Sequence, residues 1–147
     1  MRRILLAAAA ALMLAGCAAN GSDCGVVVAL DDASTGEPLS RSFFMVALPR
    51  ALSLNRGVAV NVTVGALVPD GESVPVTLTV TGGAALFVVL STLAQGRFAD
   101  NAWPLLAPGV SQTSFVPIVP AANGGPAIDV ALLAASVRVD HLAMHQY

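Results

Sequence analysis

The sequence predicts an all-β protein, an antiparallel β-sandwich preceded by a short N-terminal signal segment. From residue 25 onward, short apolar runs alternate with clusters of Gly, Pro, Asp and Ser, at the spacing typical of sandwiches. Two runs place apolar residues at every second position, which is the period of a strand with one buried face. No later segment keeps a 3.6-residue apolar period over about 10 positions, so helices should be few or absent.

The first predicted strands occupy residues 26–30, 42–48 and 58–64. The first of them is a continuous apolar run, and it ends at the turn-forming residues 31–38. In the third, valines alternate with Ala59, Asn61 and Thr63, so these two sets of side chains should line opposite faces.

Four further strands are predicted at residues 74–81, 85–90, 113–119 and 135–140. The first of these has Val and Leu on one face and threonines on the other, and two glycines end it. The second is more fully apolar and should be more deeply buried, and a Gly-Pro loop at 121–126 precedes the last. Seven strands in about 120 residues match the size of an immunoglobulin-like sandwich, here without the disulfide of antibody domains.

The N-terminus has the build of an export signal, because two arginines precede about a dozen apolar residues. The apolar stretch is shorter than the about 20 residues that a permanent membrane helix needs. We therefore predict a signal peptide over residues 1–19, a linker over 20–24 and a sandwich domain over 25–147. The chain should be exported, either membrane-anchored or secreted.

Residues 14–17 read Leu-Ala-Gly-Cys and resemble the bacterial lipobox, in which Cys17 would become the lipidated first residue of the mature protein. Ordinary secretory cleavage near Ala18 or Ala19 is one alternative, and an Ala-rich segment that only looks like a leader is another. The chain's two cysteines, Cys17 and Cys24, both lie at or just beyond this segment, so they should not staple the sandwich.

Composition excludes several classes of function. Charged residues make up 11% of the chain, against about 25% in ordinary globular proteins, and 56% of residues are hydrophobic. Such a surface predicts either poor solubility alone or packing on a partner. The net charge of -2 gives no electrostatic basis for binding nucleic acid, and membrane contact is expected only through a lipid anchor. The chain is also too short for a catalytic barrel of about 250 residues.

Three segments resemble a known family. Residues 97–109 read Arg-Phe-Ala-Asp-Asn-Ala-Trp-Pro-Leu-Leu-Ala-Pro-Gly, and they are similar to a segment of the carboxyl-terminal immunoglobulin-like domain of beta-mannosidases, which belong to glycoside hydrolase family two. Residues 38–54 resemble the start of that domain, where an Arg and aromatics precede a Pro and a Leu-x-Leu. Residues 136–143 resemble its last strand, so the three segments span most of the chain beyond the leader.

The chain departs from the family pattern at several positions. Ala99 stands where the family usually has Ser, and Trp103-Pro104 replaces Phe-Asp. Ala107 is an extra residue, and Arg50 stands where a Lys is common. The changes at 99 and 104 remove a hydroxyl and a carboxylate, which affects hydrogen bonds within the loop rather than the flanking strands.

The resemblance implies a domain without catalytic residues. A retaining glycosidase needs two carboxylates about 5 to 5.5 Å apart, and these belong to the family's separate barrel. The chain's two glutamates, Glu37 and Glu72, lie in turns and match none of the barrel motifs. We therefore expect no enzymatic activity, no cofactor and no metal site.

The segment 97–109 also supplies the candidate loop or interface residues, which are Arg97, Phe98, Asp100, Asn101 and Trp103. Side-chain to backbone hydrogen bonds that shape a turn are the main expectation for Asp100, with sugar or domain contact as the alternative. Trp103 and Phe98 could stack a sugar ring, although a single Trp in an apolar sandwich more often packs in the core or at an interface.

Two other patterns are weaker. His141 and His145 are four apart, which on a helix suits two metal ligands, but no third ligand accompanies them. Asn61-Val62-Thr63 matches the N-glycosylation motif, which has meaning only in a eukaryotic secretory route.

These observations predict a non-catalytic accessory domain that resembles the end of a beta-mannosidase. It would support beta-mannoside hydrolysis only as part of a larger enzyme, so its expected partner is the catalytic barrel and the chain would be a fragment or truncated product. The alternative is a free-standing exported lipoprotein that uses the sandwich as a glycan-binding or interaction module.

Overall fold

The structure is a computed structural model, and it describes residues 8–15, 25–35, 38–45, 48, 52, 54–69, 72–106 and 108–145. It divides into two compact units, Met1–Ser53 and Leu54–Tyr147.

The first unit contains a three-stranded antiparallel sheet with the strand order β1-β2-β3. Its strands are β1 (Ala8–Ala15), β2 (Gly25–Asp32) and β3 (Pro38–Met45). Strand β3 begins and ends earlier than the predicted 42–48, and β2 extends slightly beyond the predicted 26–30 at both ends. Residues of the predicted signal segment form β1, and the export signal itself stays a prediction.

Strand β2 ends at a turn that Asp32 organises. Its Oδ1 accepts hydrogen bonds from the backbone amides of Ser34 at 2.7 Å and Thr35 at 3.2 Å. The Ser34 hydroxyl also donates to this carboxylate, and together these bonds hold the pKa of Asp32 below its usual value, because they favour the charged form. The predicted turn is therefore present, but the strand before it ends at Asp32, two residues later than the apolar run suggested.

The second unit is an antiparallel β-sandwich. Its strands are β4 (Ala59–Val64), β5 (Val74–Thr81), β6 (Ala85–Ser91), β7 (Arg97–Phe98), β8 (Trp103–Leu105), β9 (Gly109–Val116) and β10 (Arg138–Asp140). One sheet has the order β4-β5-β9-β7 and the other the order β10-β6-β8. The prediction of an all-β fold with two antiparallel sheets is confirmed for this unit, whereas the predicted strands at 26–30 and 42–48 belong to the separate sheet of the first unit.

The core of this unit lies between the two sheets. Val74, Val76, Leu78 and Val80 of β5 all point into it and are at most 2% exposed. Strand β6 contributes Val88 and Leu90 from the opposite sheet, and Phe115 of β9 is fully buried. The alternation that predicted β5 is thus confirmed, because one face is buried in the core and the residues of the other face are exposed or half-buried.

A short helix, α1 (Val130–Ser136), replaces part of the predicted last strand. The prediction of a strand over 135–140 was wrong at its start, and the strand begins only at Arg138. Asp129 caps the helix, because its carboxylate accepts a hydrogen bond from the Leu132 amide at 2.8 Å. Leu133 is fully buried in the sandwich core, so tertiary packing stabilises a helix too short to form alone.

Other boundaries shift by smaller amounts. Strand β9 was predicted over 113–119, but it runs from Gly109 to Val116 and stops before Pro117, which has no backbone donor for a ladder. In the described part of the chain, the remaining helical segments are 3-10 turns at Ala121–Asn123 and Leu142–His145.

Candidate functional site

Residues 97–109 form a corner where the chain passes from one sheet of the sandwich to the other. The chain leaves the four-stranded sheet at β7 and enters the three-stranded sheet at β8. On the first side, the Ala99 amide donates to the Ser114 carbonyl at 2.7 Å, and the Asp100 amide donates to the Thr113 hydroxyl at 3.2 Å. Backbone amides of the loop are therefore already used by β9.

Asn101 makes the connection on the second side. Its Oδ1 accepts from the Leu90 amide at 2.7 Å, and its Nδ2 donates to the Leu90 carbonyl at 2.9 Å. Val88 pairs with Trp103 in the β6–β8 ladder, so the next hydrogen-bonded position along β6 is Leu90. The side-chain amide of Asn101 thus takes the place of a backbone peptide and extends the ladder by one step.

The backbone next to Asn101 is strained, and two hydrogen bonds hold it. Ala102 has a φ of 61°, in the left-handed region that residues with a Cβ rarely adopt. Its amide donates to the Val88 carbonyl at 2.9 Å and also contacts Asn101 Oδ1 at 3.1 Å. The Asn101 side chain therefore organises both its own loop and the neighbouring strand.

Phe98 belongs to the core. Its ring meets that of Phe115 edge to face, with centroids 5.2 Å apart and planes at 66°. This packing requires glycine at position 96, because a Cβ there would collide with the Phe115 ring and lie 2.7 Å from the Val116 carbonyl oxygen. Phe98 is 8% exposed and covered by Phe115, so its ring packs in the core and is not open to stack a sugar, which was the lesser alternative for the Phe98 and Trp103 pair.

The other candidate residues of the segment take different environments. Arg97 and Asp100 are exposed, whereas Trp103 is half-buried and packs against the sandwich core. The side chains of Phe98 and Asn101 thus make contacts that hold the fold. Those of Arg97, on β7, and Asp100, in the loop, are exposed. This arrangement suits a structural corner better than a reaction centre.

The two histidines lie at the end of β10 but in different settings. His145 Nε2 is 2.7 Å from Asp140 Oδ1, and both side chains are exposed. His141 is buried, and its Nδ1 has no hydrogen-bond partner. Burial lowers the pKa of His141, Asp140 opposes that shift, and His145 adds to it.

Within the described residues, the structure holds no cluster of three or more His, Cys, Asp or Glu side chains able to bind a metal ion. Glu72 lies exposed in its turn. Glu37, Cys17 and Cys24 fall outside the described residues, so the lipidation site stays a prediction. No helix in the part of the chain that the structure describes is long and apolar enough to cross a membrane.

One hydrogen-bonded group, centred on the Ser136 hydroxyl, was not predicted from the sequence. The Ser136 hydroxyl donates to the Leu132 carbonyl at 2.6 Å, accepts from the Leu93 amide at 3.0 Å and lies 2.8 Å from the Thr92 hydroxyl. It joins α1 to the end of β6, and the side chains of Leu93 and Leu132 on either side are exposed, Leu93 to 81%. Asp129 followed by an apolar run is a helix-start signal for α1, but a helix of seven residues is too short to show a clear helical period.

Comparisons with known proteins do not assign the chain. No protein-family model matches it. No curated protein matches it either.

Proposed function

We propose that this chain is a non-catalytic accessory domain, with an immunoglobulin-like sandwich similar to the carboxyl-terminal domain of beta-mannosidases. It would support beta-mannoside hydrolysis by packing on a separate catalytic barrel. The observation that carries the proposal is the Asn101 side chain, which holds the loop to both backbone groups of Leu90. The segment with the strongest resemblance thus has a role in folding, as expected if the shared feature is a domain architecture.

The surface of the second unit supports a role that depends on a partner. Leu93 is 81% exposed, and Leu132 is also exposed. The Ser136 hydroxyl bonds the backbone amide of Leu93 and the backbone carbonyl of Leu132. An apolar side chain as exposed as that of Leu93 is available for contact with a partner. The sparse charge of the chain fits the same interpretation, since few charged side chains would have to be desolvated on docking.

Two measurements test the proposal. The purified full chain should show no turnover of an aryl beta-mannoside, and clear turnover that is absent from a mock preparation would contradict it. The chain should also raise the thermal stability of a beta-mannosidase from which the carboxyl-terminal domain has been deleted. Leu93→Asp should weaken this effect, whereas Ile118→Asp, at an exposed apolar position outside the strands, is the matched control. No stabilisation by the wild-type chain would refute the accessory role.

The coding sequence upstream of Met1 offers an independent test. A fragment or truncated product of a family-two enzyme predicts barrel segments there, in frame or across a splice junction or frameshift. An unrelated upstream gene, together with a strong ribosome-binding site before Met1, would contradict the origin as a fragment.

A further inference from the structure

The outer face of the four-stranded sheet is polar but carries no charge on its three longest strands. Strands β4, β5 and β9 contain no Asp, Glu, Lys or Arg. Their outward side chains are mainly hydroxyls and amides, and β4 lies at one end of the strand order. Exposed edge strands usually carry charges or Pro that prevent pairing with other chains, and β4 has neither.

Asn61 and Thr63 stand together on this face. Val60 of β4 points into the core and is buried, whereas Asn61 and Thr63 on the opposite face of the strand are exposed. Their Cα atoms pair with those of Thr79 and Thr77 on β5. Because residues two apart on a strand point the same way at about 7 Å separation, the amide and the hydroxyl of the Asn-Val-Thr motif face solvent side by side.

Neither side chain is committed to the fold. In the described part of the chain, neither the side-chain amide of Asn61 nor the hydroxyl of Thr63 makes a hydrogen bond. This contrasts with Asn101, whose amide oxygen and nitrogen are both occupied by Leu90. The neighbouring side chain along the face is Ala59, which is small and exposed, so space for a bulky substituent exists.

We propose that Asn61 is an acceptor for an N-linked oligosaccharide when the chain enters a secretory lumen. Asn61 Nδ2 would attack the anomeric carbon of a polyprenyl-diphosphate-linked oligosaccharide. The new N–C bond forms as the C–O bond to the diphosphate breaks, the polyprenyl diphosphate leaves, and the amide loses one proton. The proposal is independent of the accessory role and of bacterial lipidation, and it requires that the chain enter a eukaryotic secretory route.

The glycan would supply what the strand lacks. A hydrated oligosaccharide on Asn61 would cover part of an uncharged face and stand beside the edge of β4. It would therefore hinder pairing of β4 with another chain, which is the role that edge charges take in other sheets.

The test expresses the full chain behind a secretory signal in eukaryotic cells. The sequence has a second motif of this type, Asn20-Gly21-Ser22, outside the described residues, so every variant carries Asn20→Gln. The Asn20→Gln chain should migrate faster after treatment with an amidase that removes N-glycans, and residue 61 should then read as Asp by mass spectrometry. Thr63→Ala should abolish the shift, whereas Thr63→Ser should retain it.

Thr77→Ala is the matched control, because it removes a threonine on the same face but outside the motif. It should be glycosylated like the parent. An Asn20→Gln chain without the shift overturns the proposal, and so does a shift that survives Thr63→Ala. Thr63→Ser retaining the glycan shows that loss in Thr63→Ala comes from the missing hydroxyl rather than from misfolding.

Discussion

Replacing Asn101 by Ala distinguishes a residue that holds the fold from one that binds a ligand. The substitution removes both hydrogen bonds to Leu90, whose side chain is 3% exposed, and the contact with the Ala102 amide. A buried backbone group left without a partner costs about 1–3 kcal/mol. Two such groups, partly relieved because water can reach the exposed loop, predict a loss of about 2–4 kcal/mol in the free energy of unfolding.

Urea unfolding followed by fluorescence measures this loss. The chain has one tryptophan, Trp103, and it packs against the core two residues from Asn101, so its emission reports on the second unit. With a urea dependence of about 2 kcal/mol per molar, the midpoint should fall by about 1–2 M. Asn101→Asp should also be destabilising, because its carboxylate accepts from the Leu90 amide but has no proton to donate to the Leu90 carbonyl.

Asn123→Ala is the matched control. Asn123 is an exposed asparagine in a 3-10 turn, and its backbone bond to Pro120 does not depend on the side chain. Its unfolding free energy should stay within about 0.5 kcal/mol of the parent. If Asn101→Ala behaved like this control, the loop would be held by other contacts, and the assignment of Asn101 to the fold would be refuted.

Three further predictions follow from the structure and the sequence. Gly96→Ala should lower the unfolding free energy by about 1–3 kcal/mol, because its Cβ overlaps Phe115, and an unchanged urea midpoint would contradict that packing. The lowered folded-state pKa of His141 predicts that stability is full above the unfolded value of 6.5 and falls as the pH drops below it. Urea midpoints at pH 7.5 and about 5.5 should therefore differ less in His141→Gln than in the parent or in His145→Gln, and equal differences would refute the shift. In bacteria, Cys17→Ser should abolish labelling of the protein by a fatty-acid analogue and its recovery in the membrane fraction. Unchanged recovery in the membrane fraction would count against lipidation.

The elements that sequence reasoning located best are those with local signals. Strand β5 was predicted with its observed bounds, because alternate burial of Val and Leu is visible in eight consecutive residues. The short strands β7 and β8 were not predicted, since two or three residues carry no periodicity. Helix α1 was missed for the related reason that its one buried residue, Leu133, is defined by the sheet beneath it.

The candidate loop shows the same division. Its composition of Asp, Asn, Pro and Gly identified a turn, and its order of residues indicated a family resemblance. Neither property distinguishes an Asn that binds a sugar from one that completes a β-ladder. That distinction depends on Leu90, which is 11 residues away in the chain.

The all-β class, the alternating faces of the main strands and the low charge can be predicted from the residues alone, because they follow from residue type and local period. The corner between two sheets depends on contacts that residue type and local period do not show, and so does the difference between Asn101, whose side-chain amide bonds Leu90, and Asn61, whose side chain has no partner among the described residues. A side-chain amide has the same chemistry at every position, and its role depends on whether a buried peptide group lies within hydrogen-bonding distance.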